Sequence, residues 1–405
     1  MTAPDRTLIR TITLPQLVLY GLGTTIGAGI YALAGEVTRL AGYGAPLAFL
    51  IASLLAGFTA LSFAELSGRY PRAAGAAMYV QQGFGRVRLA TMVGLLVALA
   101  GVVSAAALVN AFVEQAQAWL AVPRTLGVVG TAALVALVAA KGIRESVLTA
   151  AVVTLVEVAG LLMVIWASRA GWLETGNWIV LMEQPTGSGA LAGVFAGAVL
   201  AFYAFIGFED MVDVSEEVRR PQRTMPLAIL LTLASVTILY VLIMLAAVLA
   251  ARPETLAAES APLVFLYRHY AGGDGLVLAV IGLFAIINGA LIQTVMASRV
   301  LYGLASRGQL PAILSSVNAG TRTPLLATAA AGMALMALAL AGNLSGLAET
   351  TSMLMLAVFT LVNAALVRIK WHDEPGQGFR VPIWVPVFGA LTCAAFLLAR
   401  LWHLS

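Results

Sequence analysis

The chain has 405 residues, 61% of them hydrophobic and only 10% charged, with a net charge of +4 and a mean hydropathy of +0.95. A soluble domain carries about 25% charged residues, so the composition excludes an ordinary water-soluble protein and indicates an integral membrane protein. One cysteine, Cys393, leaves no intrachain disulfide and no cysteine-built metal site.

Eleven apolar segments have the length of membrane spans: 14–35, 44–68, 87–120, 125–141, 145–168, 189–214, 225–251, 275–305, 323–342, 347–369 and 380–402. The first is too long and too glycine-rich for a signal peptide and is kept as a span. The connections are short, the longest lying near 169–188 and 252–274. With the N-terminus inside, 17 of the 23 Lys and Arg residues fall on the inner side and six on the outer. That asymmetry predicts a cytoplasmic N-terminus and, with eleven spans, a C-terminus outside.

The first segment holds Gly21, Gly23, Thr24, Thr25, Gly27 and Gly29 at its middle. Each glycine costs a helix roughly 0.5–1 kcal/mol relative to alanine. Two readings fit. Small residues can let helices pack closely, or the helix can break where its backbone lines a cavity. The N-terminus of a following half-helix would then favour a carboxylate. The sixth segment repeats the peculiarity: an apolar run reaches Ile206, Gly207 and Phe208, and carboxylates follow at Glu209, Asp210 and Asp213. Segments one and six are five apart, so two five-helix halves would have inverted topology. Interruptions at matching places in inverted halves point to a binding site near the bilayer midplane. The pairing favours the broken-helix reading over packing.

Glu157 lies about twelve residues into the fifth segment. A carboxylate at membrane depth costs about 2.5–3.5 kcal/mol on insertion scales and is read as functional by default. It is a candidate to bind and release a proton. Sodium ligation, with Thr294 and Ser298 of the eighth segment as further oxygen ligands, is the other option, and a structural hydrogen bond the plain one. Glu209 is a candidate for a cationic group or a proton path, or for a helix cap. Glu65 and Arg299 read as gate or scaffold ion pairs. Phe208 reads as a gate or pocket wall. The block 216–226 mixes acidic and basic residues, which argues against a lipid or nucleic-acid patch. The three histidines lie in loops or at a terminus, and no HExxH, GxSxG or phosphate loop occurs. No cofactor and no enzymatic activity are expected.

Four blocks carry a family resemblance. They are Gly23 to Ile30; Phe63-Ala64-Glu65-Leu66 with Tyr70-Pro71 and Gly75 to Tyr79; Phe205 to Glu209 with Glu216-Glu217-Val218 and Pro221 to Pro226; and Asn288 with Arg299 and Ser306 to Pro311. Together they resemble the amino acid–polyamine–organocation transporter superfamily. The resemblance implies an all-α LeuT-type fold of two inverted five-helix repeats, 14–168 and 189–369, with helices 1 and 6 discontinuous. The segment 380–402 would be a peripheral eleventh span, whereas many members have twelve.

It also implies a secondary transporter of amino acids in a bacterial inner membrane, working by alternating access with a proton or sodium ion as partner. Proton coupling is the first expectation. The substrate carboxylate would meet Thr24, Thr25, Ile26, Gly27, Ala28 and Gly29. Its amine would meet carbonyls of Tyr203, Ala204, Phe205, Ile206 and Gly207, with Glu209 nearby. Tyr203 stands where a relative has a substrate-stacking Trp, a contact worth about 2 kcal/mol when desolvated. Glu157 stands where proton-coupled relatives have a Lys. A cationic amino acid or polyamine exchanger, a non-transporting sensor and an intramembrane enzyme remain as alternatives.

Overall fold

The computed structural model describes residues 10–26, 29–71, 75–141, 147–182, 187–318, 320–321, 323–372 and 378–404. The chain folds as helices. Among the described residues there is no strand, only an isolated parallel bridge between Ile12 and Val218.

The first apolar segment carries two helices, α1 (Leu14–Ile26) and α2 (Gly29–Ala41). A 3-10 turn at Gly42–Gly44 leads into α3 (Ala45–Arg69), which has a proline in its first turn where no backbone donor is lost. A short helix that the sequence reading did not separate, α4 (Gly75–Phe84), precedes the long α5 (Val87–Ala116). Then come α6 (Arg124–Lys141) and α7 (Val147–Ala167). The stretch read as a loop after it forms two small helices, α8 (Arg169–Leu173) and α9 (Thr175–Met182).

The sixth segment begins as α10 (Ser188–Phe202), tightens into a 3-10 turn at Tyr203–Phe205, and stops. Ile206 is extended, and Gly207 takes φ 127°, a region that only glycine enters readily. The chain resumes in 3-10 turns from Phe208 to Glu217. The remaining helices are α11 (Pro221–Ala250), α12 (Pro253–Ala258), α13 (Pro262–Ala271), α14 (Leu276–Ser306), α15 (Leu325–Ala341), α16 (Leu344–His372) and α17 (Trp384–Leu404). Proline opens α12 and α13 in the second of the long connections.

Among the described residues, seven helical stretches are long and apolar enough to cross a membrane, and three shorter apolar helices accompany them. Leu54, Leu134, Leu137, Leu155, Leu162 and Leu398 are more than half exposed. In water such a surface would aggregate; against lipid tails it is the expected exterior of a multi-pass membrane protein. Inside, α1 lies against α7 and α11, α10 against α2 and α3, and α14 and α16 against α5. The interior holds a buried polar knot. Ser62 donates to Asn363 Oδ1 at 2.6 Å, and Asn363 Nδ2 donates to Thr59 at 2.9 Å, joining α3 to α16.

Candidate functional site

Three helix ends meet at the centre of the bundle. The Cβ that Gly207 lacks would stand 2.3 Å from the carbonyl oxygen of Thr24, and the one that Gly29 lacks 2.6 Å from Cα of Ala204. The end of α1 and the start of α2 therefore touch the interruption after α10 backbone to backbone. Side chains larger than hydrogen would hold them apart. The Thr24 hydroxyl donates across this contact to the Gly207 carbonyl at 2.9 Å and lies 3.1 Å from its own Gly21 carbonyl. Thr25 turns the other way and donates to Gly21 at 2.8 Å.

Tyr240 of α11 joins the same place from behind. Its hydroxyl lies 3.0 Å from the Thr25 carbonyl, 3.4 Å from that of Ile26 and 3.1 Å from that of Ala204. The last carbonyls of a helix have no partner within it. One hydroxyl proton is thus shared among carbonyls from both interruptions. The sequence analysis did not single out Tyr240, an aromatic within an apolar span that gives no local signal of this position.

A narrow cleft opens beside the contact, lined by Thr24, Thr25, Gly29, Ser104, Tyr203, Ile206 and Gln293 among others. Its free volume is about 30 Å³, room for no more than a few waters. The Tyr203 hydroxyl is anchored there to Ser104 of α5, 2.8 Å from its Oγ. Ile206 and Gln293 also line a second small cavity of about 20 Å³ that contains Glu209 and Asp210. Glu209 and Asp210 in turn line a third, of about 310 Å³, with Asp213, Arg299 and Arg307. The three cavities share walls in series, and the widest lies by the end of α14. Ser104 and Gln293 were not singled out in the sequence; Gln293 is a polar residue within the mostly apolar α14.

Several expected site residues keep their side chains away from the cleft. Phe205 packs against Phe49 and Tyr240, with ring centroids 6.3 and 5.3 Å apart. Phe208 packs against Phe63 and Phe359 at 5.8 and 5.5 Å. Both are fully buried in the scaffold and neither borders the cleft. Ile26 and Ala204 are buried beside Tyr240. Glu209 caps the interruption itself, its Oε2 accepting the Gly207 amide at 2.9 Å, which is the cap role weighed for it. Gly27 and Ala28 lie outside the described residues.

Glu65 and Arg299 do not pair with each other. Glu65 is fully buried and binds Arg69 at 2.6 Å and Lys370 at 2.7 Å, and it accepts the Val381 amide at 2.7 Å. It ties α3 to α16 and to the chain entering α17, the scaffold half of the expectation. Arg299 stands in the wall of the widest of these three cavities, its charge acting on Asp213.

Glu157 sits on α7, whose Thr154 hydroxyl donates to Leu19 of α1 at 3.1 Å. The Tyr31 hydroxyl of α2 donates to the Glu157 backbone carbonyl at 2.7 Å. Glu157 is thus beside both helices of the first segment. Its side chain is wholly buried, and among the described residues neither carboxylate oxygen has a hydrogen-bond partner at normal geometry. Asn288 of α14 lies next to it. Thr294 and Ser298 follow Asn288 by about 9 and 15 Å along the helix axis, from a rise of about 1.5 Å per residue. Their hydroxyls bond to Ala290 and Val295 of their own helix at 2.8 Å. The described contacts bring Asn288, not these two, to Glu157. Among the described residues no cluster of His, Cys, Asp and Glu could hold a metal ion.

The sequence pattern of the family described as amino acid permease matches residues 12–403. A cationic amino acid transporter 2, vacuolar, of Arabidopsis thaliana is 32% identical over 91% of this chain and 61% of its own length. A methylthioribose transporter of Bacillus subtilis is 29% identical over 97% of this chain and 89% of its own. An uncharacterized transporter of Mycobacterium tuberculosis is 30% identical over 98% and 87%. The chain thus spans about three fifths of the plant relative it matches.

Proposed function

Because the chain belongs to the amino acid permease family, we propose that it is a secondary transporter carrying amino acids across a bacterial inner membrane by alternating access. The fold that goes with this proposal is of LeuT type, with eleven spans. One five-helix repeat covers 14–168, its inverted counterpart 189–369, and 380–402 is a peripheral span. The N-terminus is cytoplasmic and the C-terminus outside.

The observation that carries the proposal is the contact of Gly207 with Thr24, reinforced by Tyr240 bonding both interruptions. A zwitterion needs donors at one end and acceptors at the other. The start of α2 offers amides with the positive end of a helix dipole, and the 203–206 turn offers carbonyls. Thr24, Thr25, Gly29, Tyr203 and Ile206 border the cleft and are the binding residues of this proposal, with Gly27 and Ala28 added from the resemblance. Tyr203 presents its ring to the substrate while Ser104 holds its hydroxyl. A cleft of about 30 Å³ admits no amino acid, so the substrate enters only when the helices around it part. The string of cavities past Glu209, Asp210 and Asp213 is the route on the cytoplasmic side, and Arg299 guards it.

Glu157 is the proton carrier in this proposal. Among the described residues it is buried without a counter-ion, and it touches the helices that must move. The plant relative's name and the three carboxylates along the route favour a cationic amino acid over a neutral one. Counterflow in liposomes loaded with arginine, alanine or methylthioribose separates these substrates. Exchange of arginine alone supports the cationic reading, and exchange of none of the three while one of them binds leaves a sensor.

A further inference from the structure

We propose a second, anion-binding site at the end of the bundle that carries the N-terminus, built to hold a phosphate group at the depth of lipid headgroups. It is separate from the substrate cleft and does not depend on the transport reading.

A cavity of about 420 Å³ is lined by Arg10, Pro71, Arg220, Pro221, Gln222 and Arg223. Three arginines from two distant parts of the chain thus line one space. Arg10, Arg220 and Arg223 are exposed, and among the described residues none of the three has a carboxylate partner. Like charges gathered without counter-ions repel one another, and an anion relieves this. Guanidinium forks match phosphate oxygens two at a time.

The gathering is held by backbone rather than by chance side-chain positions. The amides of Thr11 and Ile12 donate to the Glu217 carbonyl at 2.9 and 3.0 Å, and the Arg219 amide donates to Ile12 at 2.9 Å. This clamp fixes Arg10 beside the 219–223 turn. Arg220 takes φ 50°, a left-handed conformation that is uncommon outside glycine, in the turn that brings Arg220 and Arg223 to the cavity wall. The mixture of acidic and basic residues in 216–226 suggested that the block could not serve as a lipid patch. The fold sorts them: the cavity takes the arginines, and the carboxylates of Glu216 and Glu217 do not line it.

The cavity lies where α1 and α11 begin and α3 ends, which is the boundary between apolar helix and polar loop. A headgroup phosphate resides at that level, and clustered basic residues there attract anionic lipids. A soluble phosphate compound shares the chemistry, and the test distinguishes the two sources.

Purified full-length protein is placed in phosphatidylcholine nanodiscs with or without phosphatidylglycerol, and retained lipid is counted by native mass spectrometry. The expected result is phosphatidylglycerol retained by the unaltered chain and lost from R10Q/R223Q, with affinity about 30-fold weaker, since each basic residue near a membrane surface contributes a factor of about five. The control R86Q/R88Q removes two exposed arginines outside the cavity and should retain the lipid. R10Q alone, at an exposed side chain ahead of the first helix, should give the intermediate loss and keeps the test valid if the double variant fails to fold. Inorganic phosphate or pyrophosphate that displaces the lipid at millimolar concentration, only in chains with Arg10 and Arg223, assigns the site to soluble phosphates as well. Equal loss in R86Q/R88Q, or no selective retention by the unaltered chain, overturns the proposal.

Discussion

Glu157 is the residue whose surroundings ask most for an explanation. An ion buried with no partner would cost several kcal/mol, yet among the described residues neither of its oxygens has a partner at normal geometry, and Asn288 is the polar side chain beside them. A neutral, protonated side chain removes the difficulty and is also what a proton carrier holds in half of its cycle. Glu157→Gln mimics that half permanently. In proteoliposomes the variant should lose uptake driven by a pH gradient and keep substrate exchange. Uptake that still follows the gradient would take Glu157 out of the coupling. Glu65 is the contrasting carboxylate. It is equally buried but bound by Arg69, Lys370 and a backbone amide, so its charge is compensated and its work is to join helices.

At the level of elements, the interruption after α10 depends on one residue. Gly207 combines φ 127° with a Cβ position 2.3 Å from a backbone oxygen. A side chain there meets backbone, which cannot swing aside, and a strained conformation adds about 1–3 kcal/mol. Gly207→Ala should abolish counterflow while the remaining helices keep their circular dichroism. Gly130→Ala is the matched control. Nothing lies within 4 Å of its Cβ position in α6, so it should transport normally and gain up to about 1 kcal/mol from helix propensity. Normal counterflow in Gly207→Ala would mean that the close approach of the two interruptions is not needed for binding.

Across the whole molecule, the cavities narrow from about 310 Å³ to about 20 and 30 Å³ toward the cleft. Alternating access requires the narrow part to open in turn. Because Cys393 is buried, single new cysteines can be labelled against a quiet background. An impermeant maleimide on the cytoplasmic side should reach Asp213→Cys rapidly at all times. It should reach Gln293→Cys slowly without substrate and faster during turnover. Rapid labelling of Gln293→Cys in the absence of substrate would contradict a closed cleft.

Composition and apolar length were enough to make the chain a multi-pass helical membrane protein, because lipid admits few alternatives. Gly207 and the carboxylates after it marked the second interruption, since glycine and charge at mid-membrane both oppose a continuous helix. What composition could not assign was direction. Phe205, Ile206 and Phe208 are near neighbours of equal hydrophobicity, and only the path of the backbone sent Ile206 to the cleft and the two rings into the scaffold. Glu65 was legible as an ion-pair partner, and Arg69 stands one turn on in its own helix, but Lys370 and the Val381 amide were brought to it by α16 and the chain beyond it, more than 300 residues away. Tyr240, Gln293 and the trio of arginines owe their positions to contacts between distant segments. Local sequence fixes which groups a segment carries; long-range packing decides which of them face one another.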